Sequence, residues 1–220
     1  MQRKNKEILV LAAHPDDETL GCGATLAKLS AAGHHIKLIT FTDGVDARGV
    51  EGLENRNKKL GEICEILGIH EYTHGDFPDN KMDVTPLLDL CKFIESEITS
   101  IPDIIFTHHP DCLNIDHQLV YRATMTAFRP QLGNEIEILS YFVPSSTDYN
   151  PRAIFNPDTF IDVEGFIQPK LDALHAYDEE MRPYPHTRSY ENVENLMKVT
   201  GSRVGLKYAE AFECMRRVIR

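Results

Sequence analysis

Six apolar residues in a row, Ile8-Leu9-Val10-Leu11-Ala12-Ala13, stop abruptly at His14-Pro15. A run that short, apolar at every position and broken by proline, predicts a strand buried on both faces, as in a parallel sheet. Residues 19–29 then follow helical spacing, with Gly33 ending the turn, and 35–41 alternate as a second strand. The Gly-rich, charged stretch 45–53 reads as a loop. Residues 54–67 place Leu60, Ile63, Cys64 and Leu67 on one helical face before Gly68. A short strand at 69–75 leads into the turn residues Asp76-Phe77-Pro78-Asp79-Asn80, and Thr85-Pro86 opens a helix over 87–99. Residues 104–107 form another short apolar strand that ends in His108-His109, and a helix runs from Asp116 to about Phe128. Such alternation predicts an α/β fold with a mostly parallel central sheet and helices on both faces.

The last third is less regular. Strands are expected at 136–143 and 159–163 and helices at 169–176 and 190–199, with the Pro-rich 181–188 belonging to neither state. No linker composition separates this part from the rest, so residues 1–220 are expected to form one domain. The chain, 42% hydrophobic and 26% charged, suits a globular domain that buries roughly 70% of its unfolded surface. Five widely spaced cysteines, with no C-x-x-C pair, point to reduced thiols; Cys64 and Cys91 read as small core residues. The charged N-terminus leads into too few apolar residues for a signal segment, and no run approaches the ~20 residues of a membrane span. A cytoplasmic protein without a membrane partner is therefore expected. The net charge of −11 argues against nucleic acid and anionic lipid as partners.

Chemistry enters where the first strand ends. His14-Pro15-Asp16-Asp17-Glu18 puts one imidazole and three carboxylates at a strand's carboxyl end, where open α/β sheets bind ligands. Helix capping alone requires one oxygen. Asn114-Ile115-Asp116-His117 follows another strand of the same direction, so both loops should face one crevice. His14, Asp17 and His117 then make a set of two imidazoles and one carboxylate, which suits a catalytic Zn2+ with an open position; another divalent transition metal fits the same donors. Asp16, left without a ligand role, is placed as a general base.

The quoted segments extend into a family resemblance. Ala13-His14-Pro15-Asp16-Asp17-Glu18 followed by Gly21-Cys22-Gly23 resembles the signature of the LmbE-like, or PIG-L, zinc-dependent N-acetylglucosaminyl deacetylases. Similar matches occur at Phe41-Thr42-Asp43-Gly44, Asn55-Arg56, Phe77-Pro78-Asp79-Asn80, Thr107-His108-His109-Pro110, Leu113-Asn114-Ile115-Asp116-His117, Pro185-His186-Thr187-Arg188-Ser189 and 209–213. The resemblance implies a three-layer Rossmann-like fold, zinc at His14, Asp17 and His117, Asp16 as catalytic base, and an N-acetylated sugar or sugar conjugate as substrate. One departure is Asn114, where many members carry a histidine; it donates a hydrogen bond but supplies no proton. Asn114 and Asp116 are accordingly expected in the catalytic group, with Asp116 fixing the metal-ligand loop. Asp16, His108, His109 and His186 remain open as the group that protonates the amine. Arg56 and Asp79, by resemblance and loop position, and His186 and Arg188, after a Pro-rich loop that could lid the crevice, are the expected substrate contacts.

Three other readings compete with this one. A metal-dependent amidase for another N-acyl metabolite or a thiol conjugate would use the same site. A dinucleotide-binding module lacks its G-x-G-x-x-G spacing, and a purely structural zinc site would be closed by four protein ligands. Homo-oligomers are common among soluble enzymes, but no stretch identifies an interface.

Overall fold

The computed structural model describes residues 5–42, 53–131 and 135–219, the side chains of 53–58 excepted. The expected loop up to Leu53 and the Asp43-Gly44 motif lie outside the described residues, as does the Arg56 side chain. In chain order the elements are β1 (Glu7–Ala12), α1 (Asp17–Ala31), β2 (His35–Thr40), α2 (Leu53–Leu67), β3 (Glu71–His74), α3 (Leu87–Glu97), β4 (Ile104–His108) and α4 (Ile115–Ala127). They continue with β5 (Glu137–Tyr141), β6 (Thr159–Asp162), α5 (Ile167–Ala176), α6 (Tyr190–Ser202) and β7 (Ala209–Arg216). The strands form one seven-stranded sheet ordered β3-β2-β1-β4-β5-β7-β6. β1 to β5 pair in parallel, and β7 runs antiparallel to both β5 and β6. None of the helices among the described residues is long and apolar enough to cross a membrane.

Alternation along β1 explains its uninterrupted apolar run. Ile8, Val10 and Ala12 join the core under α1, α2 and α5, while Leu9, Leu11 and Ala13 join the core under α3 and α4. Both faces are covered from Ile8 onward, so those positions are all apolar and only Glu7, at the half-buried start, is polar. Cys64 and Cys91 are buried on opposite sides of the sheet, as their helical positions predict.

Strand β7 was not legible as a strand, because it carries Glu210 and Glu213 where apolar alternation would be needed. Glu210 is nevertheless buried. α1 leaves helical geometry at Cys22 (φ −145°, ψ 15°), beside Gly21, where a Cβ atom would lie 2.3 Å from the Tyr141 ring. At this kink the Glu210 carboxylate accepts from the N–H of Ala24 (3.3 Å) and of Thr25 (2.7 Å). Lys170, from α5, donates to the Leu20 carbonyl (2.8 Å) and to Glu210 (2.6 Å). In a straight helix the Ala24 N–H and Leu20 carbonyl would bond each other. A buried ion pair thus supplies the polar groups that a bent helix needs.

Glu210→Ala should therefore strand a buried ammonium and two backbone donors, and lower stability by roughly 3–5 kcal/mol. Urea unfolding measures this; a loss below about 1 kcal/mol would refute the bridging role.

Candidate metal centre and active site

β2 and β3 lie on one side of β1, and β4 and β5 on the other, so chain direction across the sheet reverses between β1 and β4. Such a switch point opens a crevice at the carboxyl ends of the strands. The residues after β1 enter it directly, and α4, which follows β4, brings in His117.

Asp17 is the hub. Its Oδ2 lies 3.2 Å from His14 Nδ1 and 3.2 Å from His117 Nε2, and it accepts from the His14 backbone N–H at 2.9 Å. His14 Nδ1 and His117 Nε2 are 3.3 Å apart. Ligand atoms of the three residues all fall within 4.8 Å of one another. The Asp17 side chain is only 1% exposed, and its Oδ1 is buried with no hydrogen-bond partner. Burial, the largest single effect, would raise its pKa, but the neighbouring imidazoles, His117 foremost, together outweigh it and hold the carboxyl well below the usual carboxylate range. Two imidazole nitrogens converging on a carboxylate with a bare buried oxygen fit a divalent transition metal.

Other residues fix the rings. His14 Nε2 sits 3.1 Å from Asp116 Oδ2 and 3.3 Å from Asp79 Oδ1. Asp116 also accepts from the N–H of Asn80 (2.7 Å) and of Met82 (3.0 Å), which ties the turn after β3 to α4. His117 Nδ1 is 3.1 Å from the Cys112 thiol, and its ring stacks on His108 at 3.9 Å. His108 is held neutral, first by burial and then by His117, in keeping with its Nε2 accepting the Ala13 N–H at 2.8 Å.

Asp16 stands apart from this set. Its backbone is left-handed (φ 131°), a conformation costly for a residue with a Cβ. Glu18 accepts its N–H at 3.1 Å, and Arg188 donates to its Oδ2 at 2.8 Å. Burial pushes the Asp16 carboxyl up to about 7; the Arg188 guanidinium opposes this, and the carboxylates of Asp17 and Glu180 add to it. Arg188 is itself anchored by the Pro144 carbonyl (3.2 Å) and the Ser145 hydroxyl (2.7 Å).

The structure thus brings His14, Asp16, Asp17, Asp79, Asp116, His117 and Arg188 together. Asn114 caps α4, its amide oxygen accepting the Asp116 N–H (2.8 Å) while its amide nitrogen donates to Asn80 (3.1 Å). His186 is half-buried and accepts the Arg188 N–H at 3.0 Å. His109 turns away, 3.2 Å from Glu213. The pairing of Arg188 with Asp16, and the Asn80 and Cys112 contacts, had no signal in the sequence, since each joins segments set by the tertiary fold.

Known proteins resemble this chain in sequence and in fold. Residues 9–128, more than half of the chain, match the family described as PIG-L: GlcNAc-PI de-N-acetylase. The uncharacterized deacetylase YaiS of Escherichia coli strain K12 is 34% identical over 182 residues, covering 79% of this chain and 91% of that protein. The diacetylchitobiose deacetylase of Thermococcus kodakarensis is 26% identical over 190 residues, covering 80% of this chain and 70% of that protein. Among solved structures, the conserved protein TT1542 of Thermus thermophilus shares the fold, with a TM-score of 0.77 at 23% identity over 98% of this chain and 97% of that one. The chain belongs to the PIG-L family.

Proposed function

We propose that this protein is a zinc-dependent N-deacetylase that hydrolyses the N-acetyl group of an amino sugar or amino-sugar conjugate. The observation that carries this reading is the buried Asp16 carboxylate, clamped by Arg188 next to the donor set of His14, Asp17 and His117. A structural metal site would have no use for a strained, unligated carboxylate at that position. The diacetylchitobiose deacetylase relative supports the choice of an N-acetylated sugar.

His14 Nδ1, His117 Nε2 and an Asp17 oxygen would hold the ion. When bound, zinc acidifies water and polarises a carbonyl as a Lewis acid. Asp116 is a positioning residue: by accepting the His14 Nε2–H it leaves the Nδ1 lone pair turned toward Asp17. Asp16, its carboxyl held at about 7, takes a proton from the water that attacks the acyl carbon, and Arg188 offsets part of the effect of burial on it. The C–N bond then breaks as Asp16 returns that proton to the amine, leaving acetate and a free amino sugar. His108 is poorly suited to this transfer, since its Nε2 is committed to a backbone N–H. Asn114 retains one amide N–H beyond the one given to Asn80, and that donor serves the developing oxyanion. Asp79, Arg56 and His186 contact the sugar.

Asp16→Asn should reduce acetate release from N,N′-diacetylchitobiose, or from whichever N-acetylglucosaminide is turned over, by about 10²–10⁴-fold, with metal content by elemental analysis unchanged. Retention of most activity would exclude Asp16 as the base. Dialysis against a chelator should abolish activity and added Zn2+ restore it, while His117→Ala should lose the metal outright. Chelator-insensitive turnover would contradict the metal reading.

A further inference from the structure

A cavity of about 210 Å3 lies beside the kink of α1, bounded by α6, β7 and the segments that carry Phe142 and Phe155. None of His14, Asp16, Asp17 or His117 lines it, so it is separate from the metal centre. Its walls are apolar. Phe142 and Phe155, 5.4 Å apart between ring centres, line it together with Val193, Leu196 and Met197. An apolar cavity of roughly 150 Å3 already admits a benzene ring.

The polar groups at its ends differ in kind. Inside are Lys170 and Glu210, both buried and bonded to each other at 2.6 Å. Lys170 also donates to Leu20, and Glu210 accepts two backbone N–H groups, so the charges at this end are paired. At the other end is Arg203, exposed and without an ion pair among the described residues. Mostly apolar walls, with the inner charges paired and one unneutralised guanidinium at the rim, are complementary to an amphiphilic anion whose tail lies along the walls.

We propose that this cavity binds a medium-chain monocarboxylate, with the alkyl chain between Phe142, Phe155 and Met197 and the carboxylate on Arg203. At roughly 30 Å3 per water-sized group, the volume holds a chain of about seven carbons, the length of the octanoate tail. A carboxylate fits Arg203 better than other headgroups because the guanidinium presents paired donors in the matching geometry.

The test is calorimetric titration of the wild-type protein with octanoate below its micellar concentration. The same titration of His117→Ala, which loses the metal, should give an unchanged octanoate affinity, so occupancy of the metal centre does not mimic the result. Octanoate should bind one per chain, octylammonium at least about tenfold more weakly, and Arg203→Gln should weaken octanoate by about tenfold. Leu196→Trp, which places an indole in the mouth, should abolish binding without lowering the melting temperature. Arg203 is exposed, so its substitution leaves the fold intact even if the tryptophan variant does not fold. Absence of octanoate binding, equal affinity for octylammonium, or an unaffected Arg203→Gln variant would overturn the assignment.

Discussion

The site depends on keeping an ionised carboxylate, Asp17, out of water. Burying an unpaired carboxylate costs many kcal/mol, and such a group normally neutralises itself by taking up a proton. Asp17 remains low because His14 and His117 converge on the same oxygen. Removing positive charge from this point would leave the first turn of α1 built around an uncompensated anion. The same demand makes the cluster a site for a cation: the lone pairs that protons occupy in its absence are those that a metal ion would take.

That concentration of charge is possible because of the sheet. Parallel strands bring their carboxyl ends to one edge, and the reversal of direction between β1 and β4 keeps helices from covering it. Support arrives from distant parts of the chain. Asp116 joins the turn after β3 to α4, and Arg188 reaches Asp16 from the segment before α6. Glu210 and Lys170 hold the bend that Gly21 permits beneath Tyr141. Each is a polar group placed where a backbone or side-chain group would otherwise be buried without a partner.

Much of the first two-thirds of the fold was readable from the chain because β1 and β4 are buried on both faces and a helix such as α3 on one, which leaves clear patterns at 8–13, 87–99 and 104–107. Strand β7 was unreadable for the opposite reason: Glu210 and Glu213 interrupt its pattern, and their partners, Lys170 and His109, are distant in sequence. The clustering of His14, Asp17 and His117 was legible because two dense polar segments each end a strand. The position of Arg188 was not, since only the folded chain shows that it meets Asp16 and not solvent. Asn114 reads differently in context, as a cap of α4 whose amide also braces Asn80.

The chemistry turns on which side of His14 the ion sits, because two donor sets share that ring: Asp17 and His117 at Nδ1, Asp79 and Asp116 at Nε2. Anomalous diffraction at the zinc edge from metal-loaded crystals decides between them. One peak is predicted, about 2.0–2.2 Å from His14 Nδ1, His117 Nε2 and an Asp17 oxygen. A peak at His14 Nε2 between Asp79 and Asp116 would contradict it.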